Sequence, residues 1–368
     1  MKKLLKRSGS SFLNYGLVLC FFAVFQILSS AGALSNSLRG QLIPIVCYMI
    51  MAISLNLVVG ISGELSLGHA GFMSVGAFSG VIAATALADA VPSPGLRLFL
   101  AILIGALMAA IIGFLIGIPV LRLNGDYLAI VTLAFGEIIK NLLNCIYVGV
   151  DGRGLHFSVR DEASLALDGG KAILKGPMGA SGVTKLSTFP AGILLLLAAL
   201  IIIQNLVHSR TGRAIMAIRD NRIAAESVGL NVTKYKLTAF VISAAIAGSA
   251  GALYAMNFST IAPKKFDFNT SILILVFVVL GGIGNLTGSL LAAGILTVLP
   301  ELLRQFRDYR MLVYAIVLIL VMIVTNNEKL KVWILGVWLK LRSPMGRTQS
   351  APQKAQALQD EKERGTDR

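Results

Sequence analysis

Apolar residues run along this chain in long blocks separated by short polar or glycine-rich intervals. A helix needs about 20 apolar residues to cross the hydrocarbon core of a bilayer. Blocks of that order fall near 12–31, 41–60, 64–87, 98–119, 127–148, 189–207, 237–256, 270–285, 286–300 and 311–325. The pattern predicts an all-α polytopic integral membrane protein with about 10 transmembrane helices (8–10), occupying residues 12–325. Outside the spans lie a short N-terminal segment (1–11), a long polar interval at 149–188 and a second at 208–236. Trp333, Ile334, Val337, Trp338 and Leu341 recur at helical intervals, which predicts a helix along the interface over 326–343. Residues 344–368 are rich in charge, Gln and Ala, and so predict a disordered tail.

Composition agrees: 56% hydrophobic and 14% charged residues, with a mean hydropathy of +0.79, exclude a water-soluble core and shell. A net charge of +15 invites a nucleic-acid partner, but its distribution argues for membrane topology and against nucleic acid. The N-terminus, the 120–126 turn, the 208–236 loop and the C-terminal tail hold 20 of the 33 lysines and arginines. The opposite loops hold 12, and Lys140 lies within a span. Positive residues collect on the inner side, so both termini and 208–236 are expected in the cytoplasm and 149–188 outside. Met1–Arg7 and the apolar run to Ala33 also have the form of a secretory leader; an uncleaved first span is the preferred reading. Cys20, Cys47 and Cys145 fall within spans, are odd in number, lack metal-ligand spacing and are read as packing residues. His69, His156 and His208 are far apart in the topology, and no metal site is expected.

Two glycine-rich interruptions look alike. GISGELSLG (60–68) and GGIGNLTGS (281–289) share the order Gly, two residues, Gly, a polar residue, Leu, a hydroxyl residue. One reading makes them paired breaks in two related halves of the chain, marking a transport path, because irregular backbone at membrane depth survives only beside protein or a water-lined cavity. The other makes each a tight turn between neighbouring helices, with glycine supplying unusual backbone angles. On the first reading the path candidates are Asn56, Gly60, Gly63, Glu64, Ser66, Gly68, His69, Glu137, Gly281, Gly284 and Asn285. Small residues at 68, 71, 74, 76, 77, 79 and 80 suit close helix contact. Glu137 and Lys140 stand three apart, beside Asn141 and Asn144, and are expected to pair. His69 with Glu64 or Glu137 would make an acid and base, but no nucleophile converges on them and no catalytic residue is assigned.

The 208–236 loop is basic, with Arg210, Arg213, Arg219, Arg222, Lys234 and Lys236 against Asp220 and Glu226. Ala214, Ile215, Ile218, Ala225 and Val228 recur at helical spacing up to Gly229, a helix stop. The expectation is a short helix with one apolar side, either lying in the headgroup region or held by a cytoplasmic partner.

Within that loop, Ala224, Ala225 and Gly229 resemble the cytoplasmic motif by which permeases of ABC importers dock on an ATPase, with Ile223 where the family has an acidic residue. The runs SLNLVVGISGELSLGHAGFMSVGAF (54–78), GDYLAIVTLAFGEI (125–138), GRAIMAIRDNRIAAESVGLNVTKYKLTAFVISAAIAGSAGAL (212–253) and VFVVLGGIGNLTGSLLAAGIL (276–296) resemble the LivM-type permease of branched-chain amino acid ABC importers. So does KGPMGASGV (175–183). The 149–174 stretch is longer than is usual there, and TNNEKL (325–330) replaces the usual proline- and glycine-containing ending.

The resemblance implies an ABC importer permease fold in a bacterial cell membrane, forming half of a pore for Leu, Ile and Val. It implies a homologous second permease of LivH type, two ATP-binding subunits and an extracytoplasmic amino acid-binding protein. Gly212, Arg213, Ile215, Ile218, Arg219, Arg222, Ala224, Ala225 and Gly229 would form the ATPase-coupling surface, with Ile215, Ile218 and Val228 entering the ATPase groove and Arg213, Arg219 and Arg222 steering it. No cofactor would bind this chain, since ATP and magnesium would sit on the partner ATPases. The residues agree: a P-loop needs a glycine six before its lysine and a hydroxyl after it, whereas Lys171 has Leu165 and Ala172 there. An ion-coupled secondary transporter or channel for small polar solutes is the competing reading, since buried Glu64, His69 and Glu137 would serve it too.

Overall fold

A computed structural model describes residues 2–303 apart from 31–35, 89, 124, 152–153, 162 and 166–169, together with positions 312, 315, 316 and 319. Helices run over Lys2–Ser30 (α1), Asn36–Asn56 (α2), His69–Ala86 (α3), Pro94–Val120 (α4) and Asp126–Cys145 (α5). Short strands follow at Tyr147–Asp151 (β1), Gly154–Ser158 (β2), Lys171–Lys175 (β3) and Ala180–Ser181 (β4). Then come α6 (Phe189–His208), α7 (Arg210–Asp220), α8 (Arg222–Ser227), α9 (Val232–Ala255), β5 (Thr260–Ile261), α10 (Phe268–Gly281) and α11 (Leu286–Leu302). Nine of the ten expected spans therefore coincide with helices. The tenth (311–325), the interfacial segment 326–343 and the tail 344–368 lie outside the described residues.

Among the described residues six helical stretches are long and apolar enough to cross a membrane, at 37–62, 69–86, 94–120, 126–145, 189–208 and 232–255. Three further apolar stretches are shorter, at 14–28 within α1, 268–281 and 286–301. α10, with 14 residues, covers about 21 Å at 1.5 Å per residue, short of a hydrocarbon core of about 30 Å.

α2, α4 and α10 end on the side of the bundle that carries α7 and α8, where Gly60 meets Arg219 and Gly284, and Gly117 meets Leu237 and Phe240 of α9; α6 leads into α7. At the far end the 149–188 interval is not wholly irregular. It folds with β5 into an antiparallel sheet of order β2-β1-β3-β4-β5, with Val148 opposite both Phe157 and Leu174 and Ala180 opposite Ile261. Near that end Asn257 Nδ2 donates to the Gly40 carbonyl at 3.3 Å, and Ser37 hydrogen-bonds Glu301.

The core is α3, α4 and α9, packed on small residues. A Cβ at Gly76 would lie 2.0 Å from the Gly248 carbonyl oxygen, and one at Gly251 would lie 1.9 Å from that of Met73. The small-residue face expected on α3 is thus the seam with α9, where close approach substitutes for the hydrophobic drive that lipid does not supply. α4 divides by size: Ala101, Gly105, Ala109 and Gly113 face inward, while Phe99, Leu103, Leu107, Ile111 and Phe114 are exposed at helical spacing, as a lipid-facing stripe requires.

Local sequence fixes the helix starts. Ser209, Asn221, Asn231, Asp267 and Asn285 each accept from the backbone amide three residues on, capping α7, α8, α9, α10 and α11.

Candidate functional site

α2 does not end cleanly. It widens into a π-turn at Leu57–Ser62 and stops at Gly63, whose φ of 78° only glycine adopts readily. Residues 63–68 then run without helix to His69, so α3 starts inside the bundle, deeper than the span near 64–87 implied. This run is held by α5 and α9. Leu67 N donates to Thr132 Oγ1 at 3.0 Å, and a Cβ at Gly68 would stand 2.2 Å from the Thr132 carbonyl oxygen. Glu64 is buried and ion-paired with Lys236 in the first turns of α9.

His69 is 1% exposed, wedged between α2 and α9. Its Nε2 lies 3.0 Å from Ser54 Oγ and 3.3 Å from Ser243 Oγ. Ser54 Oγ donates to the Ser243 carbonyl and Ser243 Oγ to the Ser54 carbonyl, both at 2.7 Å. Each hydroxyl has a backbone oxygen within reach, and with both protons placed there the ring donates from Nε2 and the neutral ring keeps Nδ1 as an acceptor. Nδ1 has no protein partner, and neither have the buried hydroxyls of Ser62 and Ser66. Three buried polar groups without protein partners along 62–69 are what a segment facing water or a polar solute would present.

The second interruption behaves differently. Gly281–Asn285 is a tight turn, with Gly282 and Gly284 at φ 92° and 82° and Asn285 capping α11. The tight-turn reading describes 281–285; a true helix break describes 60–68. The two nevertheless touch. Asn56, fully buried, accepts from Gly284 N and donates from Nδ2 to Ser289 Oγ, both at 2.8 Å. A Cβ at Gly60 would lie 1.9 Å from Asn56 Oδ1 and 2.3 Å from Gly284 N.

The remaining path candidate, Glu137, is separate from these. It pairs with Lys140 as expected from their spacing, and it lines a shallow recess of about 10 Å³ with Leu67, Gly71, Asp267 and Ser271. Among the described residues no group of three or more His, Cys, Asp or Glu side chains could hold a metal ion. Sequence reasoning missed Ser54, Ser243, Thr132 and Ser289, ordinary polar residues within apolar helices. Lys236 closes the 208–236 loop in the sequence pattern, next to the span near 237–256, and the structure places it inside α9.

The expected single helix of the 208–236 loop is two. Asn221 (φ −154°, ψ 104°) ends α7 and caps α8. The apolar face also points differently from expectation. Ile215 and Ile218 are 1% and 2% exposed, and Ile218 packs with Ala225, Val232, Leu230 and Tyr235 of this chain. Both are covered by their own protein. The outward apolar residues are Ile223 and Val228, 80% and 75% exposed, beside Gly229 at φ 84° with open space around it. Gly212 is a close contact, since a Cβ there would lie 2.1 Å from the Leu206 carbonyl oxygen. Arg213 donates to the His208 carbonyl at 3.0 Å, Arg222 pairs with Glu226 at 2.9 Å, Ala224 is exposed, and Arg219 turns inward to the Gly60 carbonyl.

A bundle of apolar helices that gathers its buried charges and hydrogen-bonding groups around backbone breaks has the build of a multi-pass membrane permease. Residues 38–322 match the model of the branched-chain amino acid transport system permease component, and the chain belongs to that family. It is 39% identical over 291 residues to the high-affinity branched-chain amino acid transport system permease protein LivM of Escherichia coli, covering 75% of this chain and 66% of that protein. The Salmonella typhimurium protein of the same description is 38% identical over the same shares. The ribose import permease protein RbsC of Escherichia coli is 29% identical over 130 residues, 33% of this chain and 40% of that protein. No solved structure matches the chain. The match spans 66% of the length of each of the first two relatives.

Proposed function

We propose that this chain is the membrane permease subunit of an ATP-driven importer for the branched-chain amino acids Leu, Ile and Val. The observation that carries the reading is the 39% identity over 291 residues with a permease of that transport system. In this reading the chain forms half of the translocation path beside a homologous permease. ATP and magnesium are bound by two partner ATPases, and an extracytoplasmic binding protein delivers the amino acid. The chain itself is then a transport subunit and not an enzyme. Both termini and the α7–α8 loop face the cytoplasm of a bacterial cell, in keeping with the distribution of lysine and arginine.

The break at 60–68 and the turn at 281–285 belong to the path, supported by the unpartnered hydroxyls of Ser62 and Ser66 and the unpartnered Nδ1 of His69. The outward knuckle of Ile223, Ala224, Val228 and Gly229 docks in the ATPase groove, while Arg213 and Arg222 contribute charge on its rim.

The test is co-purification from mild detergent. Val228→Asp and Ile223→Asp put a charge on the outward knuckle and are expected to lose the ATPase subunit while the permease stays folded. Ile218→Asp buries a charge inside this chain and is expected to lower the amount of folded permease itself. Retention of the ATPase by both outward variants would overturn the knuckle as the docking surface, whereas recovery of the chain alone with ion-driven uptake would transfer the assignment to a secondary transporter.

A further inference from the structure

In a continuing helix the Gly60 carbonyl would accept from the Glu64 amide. That amide is turned back to the Val58 carbonyl at 3.1 Å by the π-turn, and the Gly60 carbonyl accepts instead from Arg219 Nη1 at 2.9 Å. The arginine stem crosses Gly63, where a Cβ would stand 2.6 Å from Arg219 Cγ. The other edge of the guanidinium donates from Nε and Nη2 to Asp220 Oδ1 at 3.0 and 2.8 Å. A cation at the carboxyl end of a long helix meets the negative end of its dipole and caps a carbonyl that has lost its helical donor.

We propose that Arg219 is a positioning residue, the tie through which movement of α7 and α8 reaches the helix break. The proposal rests on the reading of α7–α8 as the ATPase-coupling element. A displaced α7 pulls on Gly60; Gly60 abuts Gly284, and Asn56, one turn earlier, holds Gly284 N and Ser289. Both interruptions are thereby driven from one guanidinium. Lysine cannot replace it, because a single ammonium does not bridge the Gly60 carbonyl and the Asp220 carboxylate in the fixed geometry of the arginine fork.

The experiment uses the full complex with partner subunits, in a chain whose Cys20, Cys47 and Cys145 are replaced and whose half-exposed Leu65 is changed to Cys as a labelling reporter. With Arg219 present, thiol labelling at 65 is expected to differ between ATP-free and vanadate-trapped complexes. Arg219→Ala is expected to co-purify with the ATPase and keep its ATP hydrolysis. Uptake should drop by about 10-fold, the scale of one lost charge-assisted hydrogen bond, and the nucleotide response at 65 should vanish. Gly63→Ala, which displaces the arginine stem, is expected to do the same, and Arg219→Lys is expected not to rescue.

Unchanged uptake, or a preserved nucleotide response, in Arg219→Ala would overturn the tie. Loss of the ATPase from Arg219→Ala would also overturn it, by making Arg219 a docking contact. Should Arg219→Ala fail to accumulate, Arg219→Gln, which keeps a neutral donor, is judged by the same two readouts. Failure of the coupling reading is seen separately, as retention of the ATPase by Val228→Asp.

Discussion

Gly60→Ala is expected to leave little folded permease in the membrane. The added methyl would meet Asn56 Oδ1 at 1.9 Å and the Gly284 amide nitrogen at 2.3 Å, distances at which something must move. Neither neighbour has room. Asn56 is fully buried and bound at both ends of its amide, and Gly284 sits in a turn fixed by its own positive φ and by the Asn285 cap. The methyl must therefore pry the α10–α11 hairpin from α2, breaking both Asn56 hydrogen bonds. Overpacking of this kind costs about 1–3 kcal/mol before the two buried hydrogen bonds are counted. Gly95→Ala, in the first turn of α4 with nothing within 4 Å of the new methyl, is the matched control and should accumulate normally. Membrane immunoblots and size-exclusion profiles of detergent extracts measure both. A normal profile for Gly60→Ala would mean that the two interruptions do not bear on one another.

The Glu64–Lys236 pair carries the second large effect. Both residues are less than 9% exposed, so the pair has left water, and removal of one partner strands the other as an unpaired buried charge. Breaking such a pair costs about 3–5 kcal/mol, whereas replacing both members with uncharged groups of similar volume is often neutral. Glu64→Gln and Lys236→Met are each expected to lower the thermal midpoint of the detergent-solubilised chain sharply, and the double variant to recover most of the loss. A double variant whose loss equals the sum of the two single losses would show that the two side chains act independently. The double variant also separates structure from function. Restored stability without restored uptake would place the pair in the path; restoration of both would leave it a structural clamp on the 63–68 run.

How far these features can be read from the sequence depends on the range of the interaction that makes them. Every described span was visible, because burial of an apolar stretch in lipid is a sum over neighbouring residues. The caps of α7, α8 and α9 are likewise local, one side-chain oxygen meeting an amide three positions on. The split of the 208–236 helix had a signal in Asn221, an N-cap residue inside an apparently continuous pattern. The Glu137–Lys140 pair followed from spacing alone, as did the small-residue seam on α3, though not its partner α9. The likeness of the two glycine interruptions was legible and misleading: shared glycines permit a backbone reversal without stating which one, and 60–68 became an unwound run while 281–285 became a turn.

By itself, the sequence determined the class of protein, the positions of its helices, the charge asymmetry of its loops and the family to which it belongs. The tertiary structure alone decided the rest. Asn56 meets Gly284 across 228 positions and Arg219 reaches Gly60 across 159, distances over which no periodicity speaks. The same limit governs the coupling loop. Ile218 and Ile223 are chemically identical and five residues apart, yet one is 2% and the other 80% exposed. An apolar stripe records that a surface will be covered; only the packed fold determines whether its cover is the chain itself or a partner.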